Sequence, residues 1–216
     1  KSDMILVDAE GNIDPTTPIL FDFDTITSIG AYRTDLSPLT ITGGEFTTIA
    51  NTRAINSTYS NRGIYVSRSN VTVNGLKHYI VGEGDVGAAY SFFLGIGTAS
   101  DITVADSVFS GHKTYYLPNG VGIGSYDLNI DKSVNVTFKN CTQANFFNEN
   151  GSVNTKIWGV MASGECKNLT YDGCALSRFD AHEGVVNATI KNSTVGAITV
   201  VGGGNLIIEN SHIYRD

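Results

Sequence analysis

The chain has 216 residues, a formal net charge of −7 and only 16% charged residues, with 24 glycines. An acidic balance of this kind argues against a nucleic-acid groove, which needs clustered Lys and Arg. No apolar run of about 20 residues is present, so no membrane-spanning helix is expected. The length suits one elongated domain, residues 1–216, read as a segment of a longer chain.

Residues 1–37 hold Ile5-Leu6-Val7, then Asp8-Ala9-Glu10-Gly11-Asn12, then Phe21-Asp22-Phe23-Asp24. The last four alternate apolar and acidic, which predicts a strand with one wet face. The start reads as already in mid-coil. Asp8, Glu10 and Asp14 could collect a calcium ion, but they lack EF-hand spacing and read as solvated turn carboxylates. No cofactor is expected.

From Pro38 onward one seven-residue phrase recurs, beginning at Pro38, Asn70, Asp101, Asn135, Asn168, Asn187 and Asn205. Its second position reads Leu39, Val71, Ile102, Val136, Leu169, Ala188, Leu206, and its fourth reads Ile41, Val73, Val104, Phe138, Tyr171, Ile190, Ile208. The third is Thr in all but the last copy. The sixth is Gly43, Gly75, Asp106, Asn140, Gly173, Asn192, Asn210. Positions two and four therefore share one strand face and the threonines the other. The sixth position suits a positive φ, where the chain turns. Starts lie 32, 31, 34, 33, 19 and 18 residues apart. A unit this short buries its apolar face only by stacking on the next, which is the logic of a solenoid. The fold class predicted is all-β: a single-stranded parallel β-helix (solenoid) of about seven or more coils, to which the resemblance given below adds a right-handed sense. With strands about 4.8 Å apart, seven coils make a column roughly 30 Å long.

Loops of different length leave the coils, and the longer units carry extra strands such as Gly63-Ile64-Tyr65-Val66 and Ile157-Trp158-Gly159-Val160. One excursion contains His112, Lys113, Tyr115 and Tyr116, an aromatic pair beside a base and a cation, which suits sugar stacking and hydroxyl recognition. Its alternative is a loop with a partly buried Tyr. The runs Gly95-Ile96-Gly97 and Gly120-Val121-Gly122-Ile123-Gly124 are followed by no Lys-Ser/Thr and open no helix. Close backbone packing explains them better than a phosphate loop. Four of the eight Asn-x-Ser/Thr sequons (Asn70, Asn135, Asn168, Asn187) are the phrase itself, and read as strand and turn chemistry rather than as glycan attachment.

The seventh position of the phrase forms a column of mostly small residues: Gly44, Leu76, Ser107, Cys141, Cys174, Ser193, Ser211. Stacking at about 4.8 Å could accept a disulfide between Cys141 and Cys174. Parallel side-chain directions favour two small buried thiols. With Cys166, the three cysteines form no Cys-x-x-Cys or Cys/His set, so no zinc site is expected.

Residues 176–186 crowd four ionisable side chains, Arg178, Asp180, His182 and Glu183, into six positions of a charge-poor chain. Alternation puts Arg178, Asp180 and His182 on one side and Phe179 and Ala181 on the other. A carboxylate beside an imidazole fixes its orientation. Such a pair could take a proton α to a carbonyl or activate water. The structural alternative is an Arg–Asp pair and a capping His at a sharp corner.

The phrase series resembles the right-handed parallel β-helix (pectin-lyase-like) superfamily over nearly the whole chain. Members of that superfamily cut, eliminate or epimerise polysaccharides, or form receptor-recognising tail spikes and appendages of bacteriophages. Phe179-Asp180-Ala181-His182-Glu183 is similar to the alginate (mannuronan) C5-epimerase motif Tyr-Gly-Phe-Asp-Pro-His. By position, Asp180 and His182 match that family's active-site Asp and His. Ser177 stands where its catalytic Tyr would be, Arg178 replaces its Gly and Ala181 its Pro. Tyr115 or Tyr116 could supply the missing hydroxyl. The polygalacturonase and pectate lyase signatures are absent.

The resemblance implies a glycan-facing module, part of a phage tail spike or other surface protein. It would be extracellular or on a virion surface, with a polysaccharide or surface glycan as partner and a homotrimer as assembly. The alternative is an enzyme, a uronate C5-epimerase or lyase, using Asp180, His182 and Arg178 as catalytic groups. His112, Lys113, Tyr115, Tyr116 and Glu183 would then bind substrate.

Overall fold

The computed structural model describes residues 2–54, 59–84, 87–110, 114–120, 122–154 and 161–214. It is a parallel β-helix with three faces per coil. Coil one comprises β1 (Leu39–Thr42), β2 (Glu45–Ile49) and β3 (Ser60–Val66); coil two comprises β4 (Val71–Asn74), β5 (Lys77–Val81) and β6 (Tyr90–Gly97). Coil three runs through β7 (Ser100–Ala105) and β8 (Val108–Ser110), makes a hairpin of β9 (Thr114–Tyr116) and β10 (Gly122–Gly124), and returns as β11 (Leu128–Asp131). Coil four contains β12 (Val134–Lys139) and β13 (Thr142–Ala144) and joins β14 (Met161–Asp172). The chain then tightens. β14, β15 (Ala175–Lys191) and β16 (Thr194–Glu209) each pass from one face to the next without a break, and β17 (His212–Ile213) ends the seventh coil. Every pairing within the fifteen-stranded sheet is parallel. No helix occurs among the described residues, and so none is long and apolar enough to cross a membrane.

The phrase is the first face. Its copies pair in register, Leu39 with Val71, Val71 with Ile102, Ile102 with Val136, Val136 with Leu169, Leu169 with Ala188 and Ala188 with Leu206. Positions two and four are buried in every inner coil, Val71, Ile102, Val136 and Leu169 among them, while the inner threonines stay half-buried on the outer side. The exceptions are the terminal coils. Leu39, Leu206 and Ile208 are exposed because no strand stacks beyond them.

All seven residues at the sixth position have positive φ, from 45° at Asn210 to 72° at Gly75. The first position also lies in this left-handed region, at Asn70, Asp101, Asn135, Asn168 and Asn187. The spacing alone did not indicate that. Asn and Asp tolerate it because their short polar side chains find local partners. Here the partners are each other. Asn135 donates to Asp101 at 2.9 Å, Asn168 to Asn135 at 2.8 Å and Asn187 to Asn168 at 3.1 Å. A second ladder at the sixth position joins Asn140 to Asp106 at 3.1 Å. Gly173 continues it as a glycine because a Cβ there would meet the Asn140 oxygen at 2.5 Å. Three of the phrase's sequon asparagines, Asn135, Asn168 and Asn187, are thus ladder residues whose amides are engaged.

The seventh-position column is threaded by its own bonds. The Ser107 and Ser193 hydroxyls each donate to the carbonyl two residues back and accept an amide from the preceding coil, at 3.1 Å from Leu76 and 3.0 Å from Cys174. Cys141 and Cys174 keep the pattern as thiols, donating to Val104 O and Phe138 O at 3.3 Å each. All three cysteines are buried and free. A hydrogen bond with Cys174, then burial, pushes the Cys141 thiol far up, and burial pushes Cys166 up to about 12.

Residues 2–37 depart from expectation. They hold no strand, Phe21–Asp24 included, and the first coil begins only at Leu39. Instead the segment runs outside the column as a strap from coil five back to coil two. Lys167, almost wholly buried, pairs with Asp3 at 2.5 Å and donates to Pro18 O at 2.6 Å, and Asn168 donates to Thr16 O at 3.0 Å. At its other end Arg68 pairs with Asp35 at 3.1 Å and Asn70 donates to Asp35 O at 2.6 Å. The Phe-Asp alternation fails as a strand because its backbone has no strand partner, and alternation alone supplies none. Asp8 accepts from the Asn12 side chain at 2.9 Å and Asp14 from Thr16 at 2.7 Å. These turn bonds hold both carboxyls below their ordinary range.

Two outcomes test the column. Phe138→Ala should lower unfolding free energy by about 3–5 kcal/mol, the range for emptying a buried aromatic site, whereas outward Thr137→Ala should change it by less than about 1 kcal/mol. Equal effects in chemical denaturation would contradict the assigned faces. A thiol reagent should find no reactive cysteine in native protein and three after non-reducing denaturation; a count of one would reveal a disulfide.

Candidate functional site

The short coil five brings the acidic stretch into β15. Phe179 and Ala181 point into the core and are fully buried, so Asp180 and His182 turn outward together, as alternation requires. Asp180 is the centre of the cluster. Its Oδ1 lies 2.7 Å from His182 Nδ1, and its Oδ2 lies 3.4 Å from Arg178 Nε. Its carboxylate is 3% exposed while the His182 side chain is 42% exposed. A buried carboxylate therefore holds one edge of an imidazole whose body faces solvent. Tyr171, buried in the core, steadies the strand by donating to Arg178 O at 3.1 Å.

The missing hydroxyl arrives from another coil. Tyr126, two residues before β11, donates to Asp180 Oδ2 at 3.5 Å, and its ring stacks near His182 with centroids 6.5 Å apart and planes 28° apart. It is 54 residues from Asp180 in sequence. Sequence reading missed it because nothing local to Tyr126 resembles a motif. The one available signal is its place just before a repeated core strand, where an excursion rejoins the column.

The other expected binding residues lie apart or beyond description. His112 and Lys113 are outside the described residues, as is the stretch 157–160, and of Tyr115 only the backbone is described. Tyr116 is exposed on the β9–β10 hairpin, opposite Gly122. Glu183 is exposed on the third face, in register with Gly164. A Cβ at Gly164 would lie 2.9 Å from Glu183 Oε2 and 3.2 Å from Asp131 Oδ1, so the two carboxylates meet over a glycine. Lys132 sits 3.7 Å from Asp131 and 3.8 Å from Glu165, partly offsetting that charge. Among the described residues no group of three His, Cys, Asp or Glu side chains could hold a metal ion.

A second His–Asp pair was not foreseen. His78 and Asp127 are both completely buried, 2.8 Å apart. His78 Nε2 meets Thr48 Oγ1 at 2.8 Å, Ser110 N donates to Asp127 Oδ2 at 2.7 Å, and the imidazole stacks on Phe93 at 3.8 Å. This pair ties coils one, two and three together beneath Tyr126. It shares the chemistry of the Asp180–His182 pair but not its access to solvent, which makes it a lock rather than a site. Asp127→Ala should therefore cost about 3–5 kcal/mol, the scale for stranding a buried polar partner, whereas His182→Ala should leave the denaturation midpoint almost unchanged. The reverse order in urea titrations would overturn this division of roles.

Comparison with known proteins adds nothing to the fold or the chemistry read from the structure. No protein-family model matches the chain, and no curated protein does. Among solved structures, a candidate glycosyl hydrolase from Parabacteroides merdae ATCC 43184 is 12% identical, with 79% of this chain and 83% of that one covered and a TM-score of 0.27. A likeness at this level carries no argument about activity, and the chain stands on its own geometry as an all-β parallel solenoid.

Proposed function

We propose that this β-helix presents its long side to a polysaccharide, and that Asp180, His182, Tyr126 and Arg178 form a proton-transfer centre there. The observation that supports this reading is the Asp180–His182 pair, a buried carboxylate bonded at 2.7 Å to a solvent-facing imidazole, with a Tyr hydroxyl at the second carboxylate oxygen. The pairing makes His182 a general base whose tautomer is fixed by Asp180. On a uronate ring, the free imidazole nitrogen takes the C5 proton and the electron pair passes into the sugar carboxylate. Tyr126 then returns a proton to the opposite face, which is epimerisation, or gives one to the departing O4 as the C4–O4 bond breaks, which is elimination. Arg178 stays on Asp180 and holds that carboxylate in place beside His182.

A second reading has a specific observation of its own. Asp180 is also tied to Arg178 at 3.4 Å, as a structural corner would require. On that reading the chain is a recognition module of a tail spike or surface appendage, trimeric and extracellular or virion-borne, without turnover.

The two readings part on one experiment. The protein is incubated with alginate, pectate and hyaluronan, following unsaturated-uronate absorbance and C5 configuration by NMR. The enzyme reading expects Asp180→Asn and His182→Ala each to lower turnover by about 10²-fold or more, and Tyr126→Phe to lower it with melting preserved. Silence of the wild type on every glycan, with a lower melting temperature in Asp180→Asn and Arg178→Ala, would leave a structural corner.

A further inference from the structure

The third face carries an aromatic surface that the proton-transfer cluster does not use. Along β6, Leu94 and Ile96 point into the core, so Gly95 and Gly97 point outward. Two outward glycines in one strand are an unfavourable choice, because glycine weakens a strand and packs nothing. Both are nonetheless buried, and the reason is Tyr65 of the preceding coil. A Cβ at Gly95 would lie 2.6 Å from Tyr65 Cδ2, and one at Gly97 would lie 2.0 Å from Tyr65 Oη. The ring therefore spans both glycines and lies down on the sheet, and no other residue type at 95 or 97 would let it. It remains 57% exposed. Phe92, half-buried, flanks it with ring centroids 5.8 Å apart and planes 34° apart. Covering glycines with an aromatic ring is itself stabilising. A ring laid flat on a sheet, however, offers its outer π-face to solvent, and two such rings side by side form a shallow platform.

The next coil supplies polar groups in register. Asn129 stands opposite Gly95 and Asp131 opposite Gly97, both half-buried and outward. The column Gly97, Asp131, Gly164, Glu183 then runs along the axis to the residue beside His182. Three coil steps cover about 14 Å, so one glycan laid along the axis reaches both places. We infer that Tyr65 and Phe92, seated on Gly95 and Gly97, form a stacking subsite for a neutral pyranose ring, with Asn129 and Asp131 receiving its hydroxyls. The apolar face of the ring would lie on the aromatics. Asp131 disfavours a uronate at this end, since like charges repel. This inference rests on the reading that the chain faces a polysaccharide, but not on catalysis.

The test uses neutral hexasaccharides (cellohexaose, maltohexaose and mannohexaose) and a hexa-uronate as probes, with binding read by isothermal titration and melting temperature read alongside. At least one neutral probe should bind the wild type; binding of the hexa-uronate alone would overturn the subsite and leave the polysaccharide reading standing. Tyr65→Ala should weaken that binding tenfold or more with melting nearly unchanged, and Tyr65→Trp should retain it. Gly97→Ala, which lifts the ring off the sheet, should weaken binding although it removes no contact group. Binding of a neutral probe that survives Tyr65→Ala and Gly97→Ala would overturn the subsite and leave the polysaccharide reading standing. Failure of the wild type to bind any of the four probes would overturn both.

Discussion

The fold depends on one backbone constraint: the chain must turn at the same point of every coil. Positive φ at the sixth position of all seven phrases supplies that turn. An L-residue there is held at about 1–2 kcal/mol above its right-handed alternative, and the amide ladders offset the strain. At the sixth position Asn140 donates to Asp106, and at the first position, which is also left-handed, Asn135, Asn168 and Asn187 each donate one coil back. Corners in register hold strands in register, and strands in register stack Val71, Ile102, Val136 and Leu169 into one dry column. A one-residue slip would point the threonines inward, which is why the phrase tolerates loops of any length between copies but no insertion within one.

That constraint made the first face legible in the sequence. The turn residue, the two inward positions and the outward threonine lie within seven residues, so a single chain segment displays the whole pattern. The small-residue column was legible for the same reason, and its free thiols follow from Ser-like hydrogen bonding at Cys141 and Cys174. The strap was not legible. Its attachments, Lys167 to Asp3 and Asn70 to Asp35, join residues far apart, and no periodicity records them. Phe21–Asp24 shows the limit: alternation is necessary for a half-buried strand, but pairing requires a partner edge.

The site divides along the same line. Alternation within 178–182 placed Arg178, Asp180 and His182 together because all three lie on one strand. Tyr126 comes from two coils earlier, and the His78–Asp127 lock joins three coils, so both depend on stacking that only the folded chain shows. Among the described residues two His–Asp pairs have nearly equal length, 2.7 and 2.8 Å, and they differ in solvent access. A His–Asp pair that is wholly buried spends its hydrogen bonds on the fold; one with an exposed imidazole retains an edge for a ligand.

On the proposed reading His182 removes a proton from a sugar ring. Deuterium exchange reads that step without requiring net product. A polyuronate is incubated with the protein in D2O, and deuterium at C5 is read by proton NMR. Proton abstraction by His182 predicts loss of the C5 proton signal with wild-type protein and its retention with His182→Ala of unchanged melting temperature. A wild type that binds the polyuronate yet leaves C5 fully protonated would contradict it.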